Sequence, residues 1–234
     1  MDRSLRSAAL LVALALAALA AAAPAAAWLR GPGAELEPRR AGPAAGAEIA
    51  LTFDIAWGEH APGDVLRALA AQDTPATFFV SGPWALAHPE EARAIRAAGH
   101  ALGTLGEGGR RLSRVSVARL KAELERAASA VETASGTRPA WFRPPDGDYD
   151  TDVVRAAREA GLETVTWTVD ARDEGAADPQ SVARRVLRAA RPGAIVRLHA
   201  DDGAPATADA IAPIVQGLRA AGYRLVTLSA WPRR

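Results

Sequence analysis

Cysteine is absent from the 234-residue chain, histidine appears four times, and only 5% of residues are aromatic. Without cysteine there are no disulfides, zinc–thiolate sites, iron–sulfur clusters or thiol nucleophiles. An enzyme built on this chain works with carboxylates, arginines and one or two of His60, His88, His100 and His199. No HxxxH or HxxH spacing exists, so the sequence offers no ready metal site. An excess of one charge is also missing: 28 basic residues face 27 acidic ones, and no basic block concentrates a field. That excludes a general electrostatic footprint for nucleic acid. What is present is a chain 49% hydrophobic, enough for one globular domain with a real core.

The first residues read as an export address. Asp2, Arg3 and Arg6 form a charged start, Leu10–Leu19 is apolar, and Ala21–Ala27 supplies the small residues of a cleavage site. The competing reading is an uncleaved membrane anchor, because Ala8 to Leu29 is uncharged over 22 residues. Either way the rest of the chain is expected outside the cytoplasm. Cleavage after Ala27 leaves 26 basic and 26 acidic residues, with no bulk-charge reason to bind membranes. Residues 1–27 are therefore expected to be a signal peptide or anchor, 28–47 a Gly/Pro/Ala-rich linker, and 48–234 the domain.

From Glu48 onward, strand-like and helix-like runs alternate. The strand candidates are Glu48–Asp54, Ala76–Val80, His100–Thr104, Ala140–Arg143, Glu163–Asp170, Ala194–His199 and Tyr223–Leu228. Helical patterns lie between them, clearest at Ser116–Val131, where Val117, Leu120, Leu124 and Val131 share one face. Gly99, Gly161 and Gly222 each follow an alanine before a strand, where a helix end wants a left-handed residue. Strict alternation predicts an α/β fold with a parallel sheet, closed as a barrel or open and doubly wound. Asp54, Thr104, Arg143, Asp170 and His199 fall at the C-terminal ends of five different strands. Barrel enzymes build their sites there, and no phosphate-binding glycine loop marks an open-sheet switch point. The expectation is a deformed (β/α) barrel with about seven parallel strands.

Asp54 at a strand end can be a base, a metal ligand or a helix cap. His199, followed by Asp201 and Asp202, suits general acid–base work, and equally a structural hydrogen bond. Arg143 leaves an apolar strand into Pro144 and Pro145, which fix the backbone and aim the guanidinium at a carboxylate. Asp170 and Asp173 are candidate partners, and a pair that merely stitches two strand ends is the plainer alternative.

These residues then fall into a known order. LTFD (Leu51–Asp54), TPATFFVSGPW (Thr74–Trp84), AAGHALGTLG (Ala97–Gly106), FRPPDG (Phe142–Gly147), WTVDARD (Trp167–Asp173) and VRLHADD (Val196–Asp202) resemble polysaccharide deacetylases of the NodB-homology type. TFDIAWG and SGPWALAHPE are similar to a sporulation-type subgroup that acts at spore cortex peptidoglycan. The resemblance implies hydrolysis of sugar N-acetyl groups, with Asp54 as base, Arg143 orienting it, Asp173 pairing with that arginine, and His199 protonating the leaving amine. It implies Trp167 and Leu198 as walls of the acetyl pocket, with Pro144 and Asp170 also facing substrate. The family uses a zinc-like divalent metal, but its ligand positions here hold Ile55, Leu105 and Gly109, so no cofactor is expected. Glu59, His60 and Glu107 would make only an incomplete replacement. Two functions stay open: an exported peptidoglycan N-deacetylase, and a non-catalytic cell-wall glycan-binding protein on the same fold.

Overall fold

The computed structural model describes residues 36–108 and 111–233. The expected export segment 1–27, the first part of the linker and Gly109 lie outside the described residues. A compact unit starts at Pro38 and runs to the C terminus. Its elements are β1 (Glu48–Ile55), α1 (Ala61–Ala71), β2 (Thr77–Val80), α2 (Gly82–Ala87), α3 (Pro89–Ala97), β3 (Ala101–Thr104), α4 (Val117–Ser135), β4 (Trp141–Phe142), α5 (Thr151–Glu159), β5 (Glu163–Thr164), β6 (Val169–Asp170), α6 (Pro179–Ala189), β7 (Ile195–His199), α7 (Thr207–Ala220) and β8 (Arg224–Leu225). Among the described residues the strands run in the order β5-β4-β3-β2-β1-β7-β6, with β8 beside β1. Every pairing between them is parallel. The sheet curls into a half-barrel wrapped by helices, the deformed (β/α) barrel expected. Gly99, Gly161 and Gly222 follow α3, α5 and α7 with φ of 84, 77 and 84°, as their positions predicted. The short helix α2 has no counterpart in the sequence reading; Ser81 caps it by accepting from the Trp84 N–H at 3.2 Å.

Period-2 alternation sorts the strands into two faces. Ile49, Leu51, Phe53 and Ile55 of β1, Phe78 and Val80 of β2, and Val196 and Leu198 of β7 share one core cluster with the helices. Phe53 and Phe78 stack there with centroids 5.2 Å apart. The opposite face turns into the barrel. Ala50, Phe79, Trp141, Val165 and Ile195 fill its lower part, and Gly103 leaves room there for the Phe79 ring, which a Cβ would meet at 2.7 Å. Thr52, Asp54, Arg197 and His199 alternate with the helix-facing residues and so stand above that plug.

Glu163–Asp170, expected as one strand, is two. β5 pairs with β4 at one edge of the sheet and β6 pairs with β7 at the other. The backbone hands its hydrogen bonds across the opening as it passes: Val165 N donates to Phe142 O (2.8 Å), Thr166 N to Arg39 O (2.8 Å) and Thr168 N to Ile195 O (3.0 Å). Arg39 N returns a bond to Thr164 O at 2.8 Å, so a residue from the expected linker closes the barrel. The buried Arg39 side chain reaches Glu163 Oε1 at 2.7 Å and Pro232 O at 2.6 Å. Residues 38–47 therefore belong to the domain. Their Gly/Pro/Ala composition reflects close docking, since Gly42 lies flat against Trp231 and a Cβ there would approach the indole to 2.5 Å.

Candidate active site at the barrel mouth

Asp54 and His199 are paired neighbours at the C-terminal ends of β1 and β7. Each carries its own tether. Arg143, fully buried just past β4, donates from Nη1 to Asp54 Oδ1 at 2.7 Å and from Nη2 to Thr52 Oγ1 at 2.9 Å. Thr52 in turn donates to Val196 O at 2.6 Å, which fixes its oxygen toward the arginine. The guanidinium lies over Phe79, 4.1 Å from the ring centroid. Burial lowers the Arg143 pKa, and the Asp54 carboxylate works against that.

His199 is tethered from the other side. Its Nδ1 lies 2.8 Å from Asp173 Oδ1, its backbone N donates to Asp173 Oδ2 at 2.8 Å, and Thr207 Oγ1 donates to the same oxygen at 2.6 Å. Burial opposes the charge on Asp173, but these donors outweigh it and hold its pKa below the usual carboxylate range. For His199 burial pulls the pKa down while Asp173 pushes it up, and the net direction is upward. Asp173 thus serves the histidine and not Arg143, which corrects the pairing implied by the resemblance. The two candidates for Arg143 lie on the β6 side, whereas the carboxylate its prolines aim it at is Asp54.

Leu198 packs in the helix-facing cluster, so it forms no wall of the mouth; on a strand, the residue sharing the His199 face is two positions earlier. That residue is Arg197. Two of the family's ligand positions lie in different layers, Ile55 in the helix-facing cluster and Leu105 in the plug inside the barrel. Trp167 does stand at the mouth, with the Arg143 guanidinium 5.7 Å and the Arg197 guanidinium 4.3 Å from its ring centroid. Asp170 pairs in register with Arg197 and its Oδ2 lies 3.8 Å from Arg197 Nη1. Pro144 is buried and accepts from Gly147 N at 3.0 Å, shaping the turn after β4. Glu107 turns toward Arg126, and Glu59 and His60 are exposed, their backbone N–H groups held by Asp202.

Sequence reasoning does not single out Arg197, although a charge inside the apolar strand IVRLH, two residues before His199, was the available signal. Its Nε lies 3.3 Å from Asp54 Oδ2, and its Nη2 lies 2.8 Å from His199 Nε2 and 3.7 Å from Glu174 Oε2. A guanidinium only donates, so His199 Nε2 accepts and the imidazole proton sits on Nδ1, facing Asp173. Trp57, 55% exposed after β1, reaches the loop after β7, where a Cβ on Gly203 would lie 3.3 Å from its ring.

Comparison with known proteins fits this geometry. The sequence profile of the polysaccharide deacetylases matches residues 41–165. The chain belongs to the polysaccharide deacetylase family. It is 29% identical over 181 residues to the uncharacterized protein YlxY of Bacillus subtilis, covering 77% of this chain but 56% of that one. A chitooligosaccharide deacetylase of Bradyrhizobium is 37% identical over 158 residues, covering 67% of this chain and 71% of the relative. A peptidoglycan-N-acetylglucosamine deacetylase of Bacillus cereus is 28% identical, covering 80% and 69%. Among solved structures, the wild-type pseudoenzyme BA3943 of Bacillus anthracis superposes with a TM-score of 0.79 at 27% identity, covering 83% of this chain and 68% of that one. A mutant of it described as having restored enzymatic activity matches with the same score.

Polysaccharide deacetylases generally use a divalent metal, and the residues described here do not fit one. No group of three or more His, Cys, Asp or Glu that could hold an ion exists among the described residues. Both Asp54 oxygens face guanidinium groups, and both His199 ring nitrogens are engaged. The Ile55 and Leu105 side chains carry no donor atom, and two guanidinium groups, the buried Arg143 and the partly exposed Arg197, oppose a further cation.

Proposed function

We propose that this chain is an extracytoplasmic hydrolase of N-acetylated amino-sugar glycan, acting on peptidoglycan, with Asp54 as general base and His199 as general acid. One observation carries the reading: a carboxylate and an imidazole stand side by side at the barrel mouth, each fixed by its own buried partner, Arg143 and Asp173. In the reaction a water oxygen attacks the acetamide carbonyl carbon as its proton passes to Asp54. The carbon–nitrogen bond then breaks as imidazolium Nε2 delivers a proton to nitrogen, releasing acetate and the free amine. Arg143 and Asp173 are positioning residues. Trp167 and Asp170 bound the sugar, and the exposed face of Trp57 extends the groove. The substrate class is supported by the deacetylase activities for which the Bacillus and Bradyrhizobium relatives are named, and the outward location by the apolar start of the chain.

The test is acetate release from an N-acetylated peptidoglycan fragment by the purified chain, beside Asp54→Asn and His199→Gln. Release by the wild type that both variants lose supports the assignment; release that survives either removes that residue from its role. A second reading, a glycan-binding protein without turnover, is favoured by the engagement of Arg197 with both reacting groups. It predicts binding of the same fragment, weakened by Trp57→Ala, with no acetate. Mass analysis of the mature N terminus after expression in a bacterial host tests export.

A further inference from the structure

Arg197 stands where a reacting group would have to stand. An acetamide carbonyl attacked with the help of Asp54 and released with a proton from His199 must lie between those two side chains. The Arg197 guanidinium occupies that position: Nε faces Asp54 Oδ2 at 3.3 Å, Nη2 faces His199 Nε2 at 2.8 Å, and its plane lies over Trp167 at 4.3 Å. The side chain is 12% exposed, and its buried Nε has no hydrogen-bond partner. The contact with His199 also uses the nitrogen that must carry the donated proton.

We propose that Arg197 is the specificity-determining gate of this site: seated, it excludes an N-acetyl group from between Asp54 and His199 and holds His199 Nε2 as a proton acceptor. The inference rests on the glycan reading above for the nature of the excluded group. The seat has an exit. Asp170 Oδ2 at 3.8 Å from Nη1 and Glu174 Oε2 at 3.7 Å from Nη2 lie on the rim, with side chains 37% and 63% exposed. A guanidinium displaced from His199 moves toward these carboxylates and keeps its charge compensated. Proton uptake on Nε2 drives that displacement, because two donors then face each other. The charged groups acting on His199 are Asp173 and Glu174 from the loop after β6, Asp54 from β1, Arg197 from its own strand and Asp201 from the loop after β7. Of these only Arg197 opposes protonation, so its removal favours the imidazolium.

The experiment compares the wild-type chain with Arg197→Leu, and with Arg197→Lys, which keeps the charge but not the fork that spans both partners. Two readouts are taken: titration of the His199 ring by NMR, and calorimetric binding of chitotetraose and of its fully de-N-acetylated form. Arg197→Leu is expected to move the His199 pKa upward. It should also tighten chitotetraose by about tenfold, the gain when a competent state goes from a tenth to nearly all of the population, and leave the de-N-acetylated form unchanged. Arg197→Lys should fall between. An unmoved His199 titration in both variants overturns the contact, and equal tightening of both oligosaccharides overturns the exclusion of the acetyl group. If neither oligosaccharide binds any of the three chains, the glycan reading fails and the gate with it, an outcome distinct from equal binding by all three, which sinks the gate alone.

Discussion

Asp173 Oδ1 meets His199 Nδ1 at 2.8 Å, while the other Asp173 oxygen takes two more donors, the His199 backbone N–H and the Thr207 hydroxyl. The carboxylate therefore fixes both the tautomer and the ring plane of the histidine. Asp173→Asn keeps the shape but removes the charge that raises His199. The His199 pKa should fall, and the fold should lose about 1.5–3 kcal/mol, the range for hydrogen bonds to a charged group. NMR titration and chemical denaturation read the two effects. A His199 pKa equal to that of the wild type would show that Asp173 does not govern the ring.

Much of this arrangement is legible in the sequence. The alternation of runs gives the βα order, and the polar residues at strand ends mark the mouth. Pairing between side chains is a different matter, because residues 54, 143, 173 and 199 lie far apart and spacing carries no information about which carboxylate meets which cation. Period 2 explains both the success and the failure at β7: it places His199 inside, and the same rule makes Leu198 face the helices and Arg197 the site. The division of Glu163–Asp170 is hidden for a related reason. The residues keep one alternating pattern while their hydrogen-bond partners change from β4 to Arg39 to β7. Arg39 is hidden by composition, since a segment that closes a barrel by backbone bonds needs no apolar pattern.

Arg143 is fully buried and holds Asp54 and Thr52 at once. Arg143→Met should cost about 3–5 kcal/mol, because a buried carboxylate loses its main partner. Asp54→Asn alone leaves a buried guanidinium short of its counter-charge. The double variant should therefore be less destabilised than the sum of the two single ones. Urea denaturation of the four proteins gives the coupling, and additive losses would mean that the pair is not energetically linked.

Gly42 has no room for a side chain, with the Trp231 indole 2.5 Å from a Cβ there and its own N–H bonded to Gly193 O at 2.8 Å. Gly42→Ala must displace Trp231, whose Nε1 donates to Glu48 Oε2 at 2.6 Å at the start of β1. A loss of about 1–3 kcal/mol is expected, the range for overpacking. A substitution at Gly46, where the nearest side-chain atom is 3.6 Å away, serves as the control. Equal stability of both variants would return residues 38–47 to the status of a linker.

Two buried histidines pull stability in opposite directions with pH. His199 has a raised pKa, so its contribution is complete below its unfolded value of 6.5 and is lost as pH rises through the folded value. His100 accepts from Ala76 N at 3.1 Å through Nδ1, and burial lowers its pKa. Its contribution is complete above 6.5 and is lost as pH falls through the folded value. His100→Asn keeps an acceptor that does not titrate, and should flatten the decline of stability below pH 6.5. His199→Gln should flatten the decline above it. Denaturation midpoints measured across that range separate the two, and a variant with the wild-type slope on its own side would contradict the assignment.

A divalent ion that bound the folded chain alone would raise its stability by about 2.7 kcal/mol at a hundredfold excess over its dissociation constant. The donor atoms around Asp54 and His199 are already matched to Arg143, Arg197 and Asp173, and displacing an arginine there exposes a carboxylate to one partner fewer. Zinc or a chelator should therefore leave the melting temperature unchanged, and the His199 resonances should not move on titration with zinc. The Arg197→Leu chain is the stricter case, because it frees Asp54 Oδ2 and His199 Nε2 together. Two donors without a third still make a poor zinc site, so the variant should gain at most a weak response, well below that of a three-ligand centre. A clear rise in the wild-type melting temperature, with a shift of the His199 signals, would mean that Arg197 leaves its seat for an ion and that the mouth holds donors in an arrangement other than the one described.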